Sequence, residues 1–205
     1  MSASAAPVLT DRSDFRNVTA SGARLGAVTG AVVVVFLVVS RLLAPGVARE
    51  VVQALVVLVA APLVSLLPAR WTSPRSIEGI AGAAAVGLVG TVVFSAIDVV
   101  ILRPFHAYPW TWDAVGGGST WWYLPIWWML GTFSAWMGGM YTAGRAARGG
   151  ATSLAALATP VLGGAIGLTL VAQLAHLGVY LPVAAGAAFA ATLTVLAVVA
   201  IARKA

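Results

Sequence analysis

Long apolar runs, most of them bounded by proline, glycine or arginine, follow one another from residue 25 to the end of the chain. The hydrocarbon core of a bilayer is about 30 Å thick and takes about 20 helical residues to cross. A backbone placed there has no water to bond to, so spanning segments are helices or closed barrels. Six runs have the right length for helices: 25–44, 51–67, 79–102, 121–143, 153–176 and 183–202. Charge supports the same reading. A soluble domain carries about 25% charged residues, whereas here 9% are charged and 60% are hydrophobic. The expected fold is an all-α integral membrane protein, one bundle of about six transmembrane helices at 25–205 behind a polar N-terminal tail at 1–24. That tail lacks the basic start, nearby apolar core and small-residue cleavage site of a secretory signal, so the first run is expected to be retained.

Orientation follows from the basic residues, which concentrate on the cytoplasmic side of membrane proteins. With six spans and the N-terminus inside, the cytoplasmic segments hold Arg12, Arg16, Arg24, Arg70, Arg75, Arg145, Arg148, Arg203 and Lys204, and the external ones hold Arg41, Arg49 and Arg103. Both termini are therefore expected in the cytoplasm. Lys204 is the single lysine in a chain rich in Arg, Ala, Val and Gly, a bias of GC-rich bacterial genomes that points to a bacterial inner membrane.

The same distribution argues against nucleic acid as a partner. The formal charge of +6 is spread singly or in pairs at the ends of apolar runs rather than gathered into a phosphate-tracking groove. The absence of cysteine removes disulfides, cysteine-ligated zinc, iron–sulfur clusters and thiol catalysis. No H-E-x-x-H, G-x-S-x-G or Walker loop is present, and Gly116-Gly117-Gly118 precedes a tryptophan-rich run rather than a phosphate-binding helix after a strand. His106 and His176 lack any supporting metal or haem motif. No cofactor, no metal and no enzymatic activity are expected.

Small residues recur every four positions on two runs: Gly22, Gly26 and Gly30 at the first, and Gly79, Ala83, Gly87, Thr91 and Ser95 on the third. Such faces let helix backbones approach closely, which is how helices associate where lipid is as apolar as leucine. They serve internal packing, or a homo-oligomer or membrane-protein partner. Of the eight tryptophans, all but Trp71 fall between Trp110 and Trp136. Indoles favour the membrane interface, so the first of them read as an aromatic belt. Trp127, Trp128 and Trp136 lie deeper, where Trp128 could form a stacking wall for a ligand.

Ionisable groups within the runs are few, and most gather at the external end. Asp98 closes the third run, Arg103, His106 and Asp113 follow it, Glu50 and Gln53 open the second, and Gln173 and His176 close the fifth. Polar groups at membrane depth are costly and face a bundle interior or a water-filled cavity. Asp98 can pair structurally with Arg103 or His176, or act as a proton or cation acceptor beside a pH-sensitive histidine. The site expected from sequence is thus Asp98, Arg103, Trp128, Gln173 and His176 around an outward-facing polar pocket. Transport is the leading function: a small permease, a channel or a solute-binding subunit. The alternative is an accessory or assembly subunit of a larger membrane complex. In size and topology alone, six short spans with both ends inside are similar to the substrate-binding subunits of energy-coupling-factor vitamin transporters, a resemblance that would imply a solute site and a docking face on the first span.

Overall fold

The computed structural model describes residues 11–107 and 123–203. Within them the chain is helical, without strands. Helix α1 spans Phe15–Leu42, α2 Val47–Thr72, α3 Ile77–Ile97, α4 Tyr123–Ala147, α5 Leu154–Leu174 and α6 Leu181–Ala202. A π-helical turn, Asp98–Leu102, continues α3. Five of the helices, all but α4, are long and apolar enough to cross a membrane. Large apolar side chains such as Val35, Val59, Val92, Leu170 and Val195 are exposed on their outer faces. So much outward apolar surface is suited to lipid and not to water, and the protein is a polytopic membrane protein.

The helix bounds depart from the expected spans for local reasons. Helix α1 begins at Phe15, well before residue 25, because Asp14 caps it by accepting a hydrogen bond from the Asn17 N–H at 3.0 Å. Residues 11–24 are accordingly not a free tail. Helix α2 runs on through Pro68 to Thr72. Proline removes one backbone donor, but neighbouring groups within a membrane protein can absorb the loss, and Pro68 is among the most deeply buried residues. Helix α4 continues four residues beyond 143. The tryptophans at 110, 112, 121 and 122, the glycines at 116–118 and Asp113 lie outside the described residues.

Glycine contacts give the helix directions. A Cβ on Gly22 would stand 2.4 Å from Val89 Cγ1 and one on Gly26 would stand 2.6 Å from Val93 Cγ1, with Gly30 opposite Ile97. The two series rise together, so α1 and α3 are parallel. Against α4 the order reverses: Gly87 meets Ala135 and Gly139 meets Ala83, so α3 and α4 are antiparallel. Helix α4 also packs on α2 and α6, and α5 packs chiefly on α6. A core of Leu66, Met137, Leu157, Val161, Phe189 and Leu193 joins α2, α4, α5 and α6, while Val18, Leu25 and Val86 fill the α1–α3 seam. The small-residue faces of α1 and α3 are thus taken up inside the chain.

The bundle has two unlike ends. One, the basic end, gathers Arg12, the α2–α3 turn, the α4–α5 turn and the end of α6. The other gathers the α1–α2 turn, residues 103–107 and the α5–α6 turn.

Candidate functional site

Asp98 stands where α3 changes pitch. In a regular α-helix residues five apart point about 140° away from one another, so Asp98 and Arg103 would not meet. The π turn takes in one extra residue, and the Arg103 N–H bonds to the Asp98 carbonyl five residues back at 2.9 Å. That turn brings the two side chains to one face, where Arg103 Nε donates to Asp98 Oδ2 at 3.3 Å. Asp98 is only 3% exposed. A buried carboxylate is tolerated when paired and hydrogen-bonded, and both conditions are met at this turn. Single π turns occur often at functional sites.

One turn before Asp98, Ser95 accepts a hydrogen bond from the Trp128 indole N–H at 3.1 Å and donates to the Thr91 carbonyl at 2.8 Å. The indole of Trp128 therefore tacks α4 to α3 immediately beneath the ion pair. Trp127 and Trp136 point outward instead, each 47% exposed.

Gln173 and His176 lie elsewhere. Helix α5 shares no packing face with α3, and His176 is exposed in the turn that follows α5, in the left-handed backbone region at φ 51°. Gln173 Nε2 donates to the Val179 carbonyl at 3.2 Å and braces that same turn. The five residues singled out in the sequence thus divide: Asp98, Arg103 and Trp128 form one cluster on α3 and α4, while Gln173 and His176 belong to the α5–α6 turn.

A second polar group at this end is built around Gln53, 3% exposed. Its Nε2 donates to Ser40 Oγ at 2.7 Å, and its Oε1 accepts the Tyr180 hydroxyl. The Ser40 hydroxyl in turn donates to the Phe36 carbonyl at 2.8 Å. One glutamine therefore joins α1, α2 and the start of α6. Its partners are 13 and 127 residues away in the chain, and nothing in the local pattern marks them. Arg41 also donates to the His106 carbonyl, tying the α1 end to the turn after Arg103.

The basic end is held differently. Asp11 accepts hydrogen bonds from the Arg75 N–H at 2.9 Å, from the Ser76 and Gly79 N–H groups at 3.1 Å each, and from the Ser76 hydroxyl. It lies on the first turn of α3, where negative charge meets the positive end of the helix dipole. Burial pushes the Asp11 carboxyl up, but the Ser76 hydroxyl and these backbone donors outweigh it and hold it below its ordinary 3.8. Asp11 could not be singled out from sequence, since a carboxylate in a polar segment carries no sign of a cap supplied to a helix more than sixty residues later.

Comparison with protein-family models, with curated proteins and with solved structures finds no match.

Proposed function

We propose that the protein crosses a bacterial inner membrane six times, with both ends in the cytoplasm, and that it is a non-enzymatic transport protein: a small permease, a channel or a solute-binding subunit. In this reading Asp98 is the proton or cation acceptor of a site opening outward. The observation that carries it is the buried Asp98–Arg103 pair on a π turn inside an otherwise apolar helix. Intramembrane ionisable groups are expensive and concentrate where ions, protons or solutes pass. A purely structural clasp at a helix end needs neither a carboxylate at this depth nor a change of pitch to reach its partner. The orientation is supported by the arginines of the basic end and the positive-inside bias. Helix α4, too polar to count as a lone span, is 25 residues long and lies among α2, α3 and α6, so it need not face lipid on all sides.

The test is flux in liposomes. Purified protein is reconstituted with an internal pH dye, and a potassium gradient with valinomycin supplies the driving potential. Proton entry is expected with the natural chain and lost in Asp98→Asn, with the variant still monodisperse and helical. Equal entry with and without the carboxylate, or none in either, sinks the proposal.

One observation favours the accessory-subunit reading. On α5 a Cβ added at Gly163 or at Gly167 would meet nothing within 4 Å. These glycines are four residues apart on the exposed side of a peripheral helix, the spacing that admits another helix. Purification in mild detergent separates the readings: a stoichiometric partner lost on Gly163→Leu favours the accessory role.

A further inference from the structure

The basic end contains a pocket of about 380 Å³, formed by the last turn of α2, the α2–α3 turn, the end of α4 and the start of α5. Arg70, Ser73, Arg75, Thr142, Thr152 and Ser153 supply its polar lining. We infer that this pocket binds a phosphate-bearing anion. The inference is independent of the role proposed for Asp98, which lies at the other end of the bundle.

Charge is the first argument. The guanidinium groups of Arg70 and Arg75 make no ion pair and no hydrogen bond with any described residue; the backbone N–H of Arg75, not its side chain, is what Asp11 holds. Two exposed cations thus line one cavity with no ion-pair partner among the described residues. Arginine presents donors in a rigid fork that matches phosphate oxygens in pairs. Asp11, held to this turn, spends its oxygens on the Arg75, Ser76 and Gly79 backbone donors and the Ser76 hydroxyl, and Glu78, on the first turn of α3, forms no ion pair with either arginine.

The second argument concerns the carbonyl end of α2, which also borders the pocket. Unsatisfied carbonyls carry the negative end of a helix dipole and would repel an anion. Here each is taken. The Ala69 carbonyl accepts from the Ser73 N–H at 2.9 Å and the Thr72 carbonyl from the Arg12 N–H at 2.9 Å. The Arg70 carbonyl accepts from the Ser73 hydroxyl and the Trp71 carbonyl from Asn17 Nδ2, both at 3.4 Å. Ser73 and the docked N-terminal segment therefore satisfy the carbonyl end of α2, and at the end of α4, which also borders the pocket, the Arg145 and Ala146 carbonyls accept from the N–H groups of Arg148, Gly149 and Gly150.

The third argument is the opposite wall. Helix α5 starts there, capped by Ser153, whose Oγ accepts from the Ala156 N–H at 3.3 Å. The first-turn N–H groups of a helix of this length attract anions, and Thr152 and Ser153 add hydroxyl donors. Two free guanidinium groups on one wall and a helix N-terminus on the other form a complementary pair of surfaces across a headgroup-sized space. Basic pockets between helices at the cytoplasmic face bind anionic headgroups. A lipid phosphate and a soluble phosphate share the chemistry this pocket recognises.

The experiment uses the full chain in detergent. Native mass spectrometry follows retention of phosphatidylglycerol against phosphatidylcholine, and calorimetry follows inorganic phosphate. The natural protein is expected to retain the anionic lipid or to bind phosphate, and the arm that responds names the source. Arg70→Gln with Arg75→Gln should weaken that binding at least tenfold, and Thr152→Glu, which places a carboxylate in the pocket, should do the same by a different route. Arg203→Gln, a basic residue outside the lining, should leave it unchanged. Binding that survives both pocket variants, falls equally in Arg203→Gln, or is absent for both phosphates would overturn the inference. Circular dichroism and gel filtration establish that each variant is folded, and if the double variant is not, Thr152→Glu alone decides.

Discussion

Helices α4 and α5 carry the same signature and use it in opposite ways. Helix α4 has Gly131, Ala135 and Gly139 at four-residue spacing, and α5 has Gly163 and Gly167. On α4 the glycines meet Thr91 and Ala83 of α3, and the adjacent Gly138 lies so close to α2 that a Cβ would fall 1.9 Å from the Ser65 carbonyl oxygen. On α5 the corresponding positions face open space. Hydropathy separates the two. Helix α5 is apolar and long enough to cross a membrane and is mostly exposed, while α4, with α2, α3 and α6 around it, is less apolar. Lipid demands apolar side chains of the helix it touches; neighbouring helices demand small ones and accept tryptophan, serine and threonine where these find partners. A hydropathy average therefore reads exposure to lipid, not depth in the bundle.

Substitutions can break or sharpen this contrast. The largest effect is expected from Gly138→Ala, because the clash is with the Ser65 backbone and neither helix can yield without moving its other contacts. Overpacking costs about 1–3 kcal/mol and occasionally more, and here the yield of monodisperse protein and its melting temperature should both fall sharply. A normal melting temperature would mean that α2 and α4 pack more loosely than described. Asp98→Asn should come next, at about 2 kcal/mol, by removing the anion that faces Arg103; Arg103, 15% exposed, can recover part of its solvation. Gln53→Leu should cost about 1 kcal/mol, because Ser40 keeps its bond to Phe36 and Tyr180, 41% exposed, can turn to solvent. This variant tests whether α5 and α6 are secured to α1 and α2 by more than apolar contact.

A smaller, local effect is expected at Asp11. Its carboxyl is held below 3.8 in the folded chain, so the docking of residues 11–17 is fully supported above that value and is lost as pH falls through the depressed folded value. Hydrogen exchange at the Arg75, Ser76 and Gly79 amides should therefore rise only in strong acid in the natural chain, and at neutral pH in Asp11→Ala. Protection that ignores both changes would deny the carboxylate its role as a clamp. Least of all should happen with Gly163→Ala and Gly167→Ala. The melting temperature of the isolated chain is expected to hold or rise slightly, since alanine is the better helix former by about 1 kcal/mol. A marked loss would place an unrecognised neighbour against α5.

These contrasts also show what could be read from residue order. The apolar runs announced helices because the bilayer imposes a length, and the four-residue spacing of Gly22, Gly26 and Gly30 announced a packing face. Which helix would fill that face was illegible, since spacing carries no information about the partner's position in the chain. Grouping polar residues by depth placed Asp98, Gln173 and His176 together, yet depth fixes one coordinate only, and α5 lies on the far side of α2 and α6 from α3. Proximity of Asp98 and Arg103 was anticipated, but the π turn that makes a five-residue spacing workable was not. At the basic end Arg70, Ser73 and Arg75 fall within six positions and Thr152-Ser153 has the form of a helix cap. Those signals were present, and the positive-inside rule absorbed the arginines as topology markers.

The parallel seating of α1 on α3 has a consequence for biosynthesis. Gly22 pairs with Val89, so the grooved face of α1 enters the membrane well before the side chains that fill it have been made. Synthesis at about 5–20 residues per second leaves that groove waiting for several seconds. During the interval α2 and transient lipid are its only available company. Quality control that recognises unassembled membrane helices should therefore find its target in nascent chains arrested between the second and third helices, and chains released just after residue 97 should be the first to escape it.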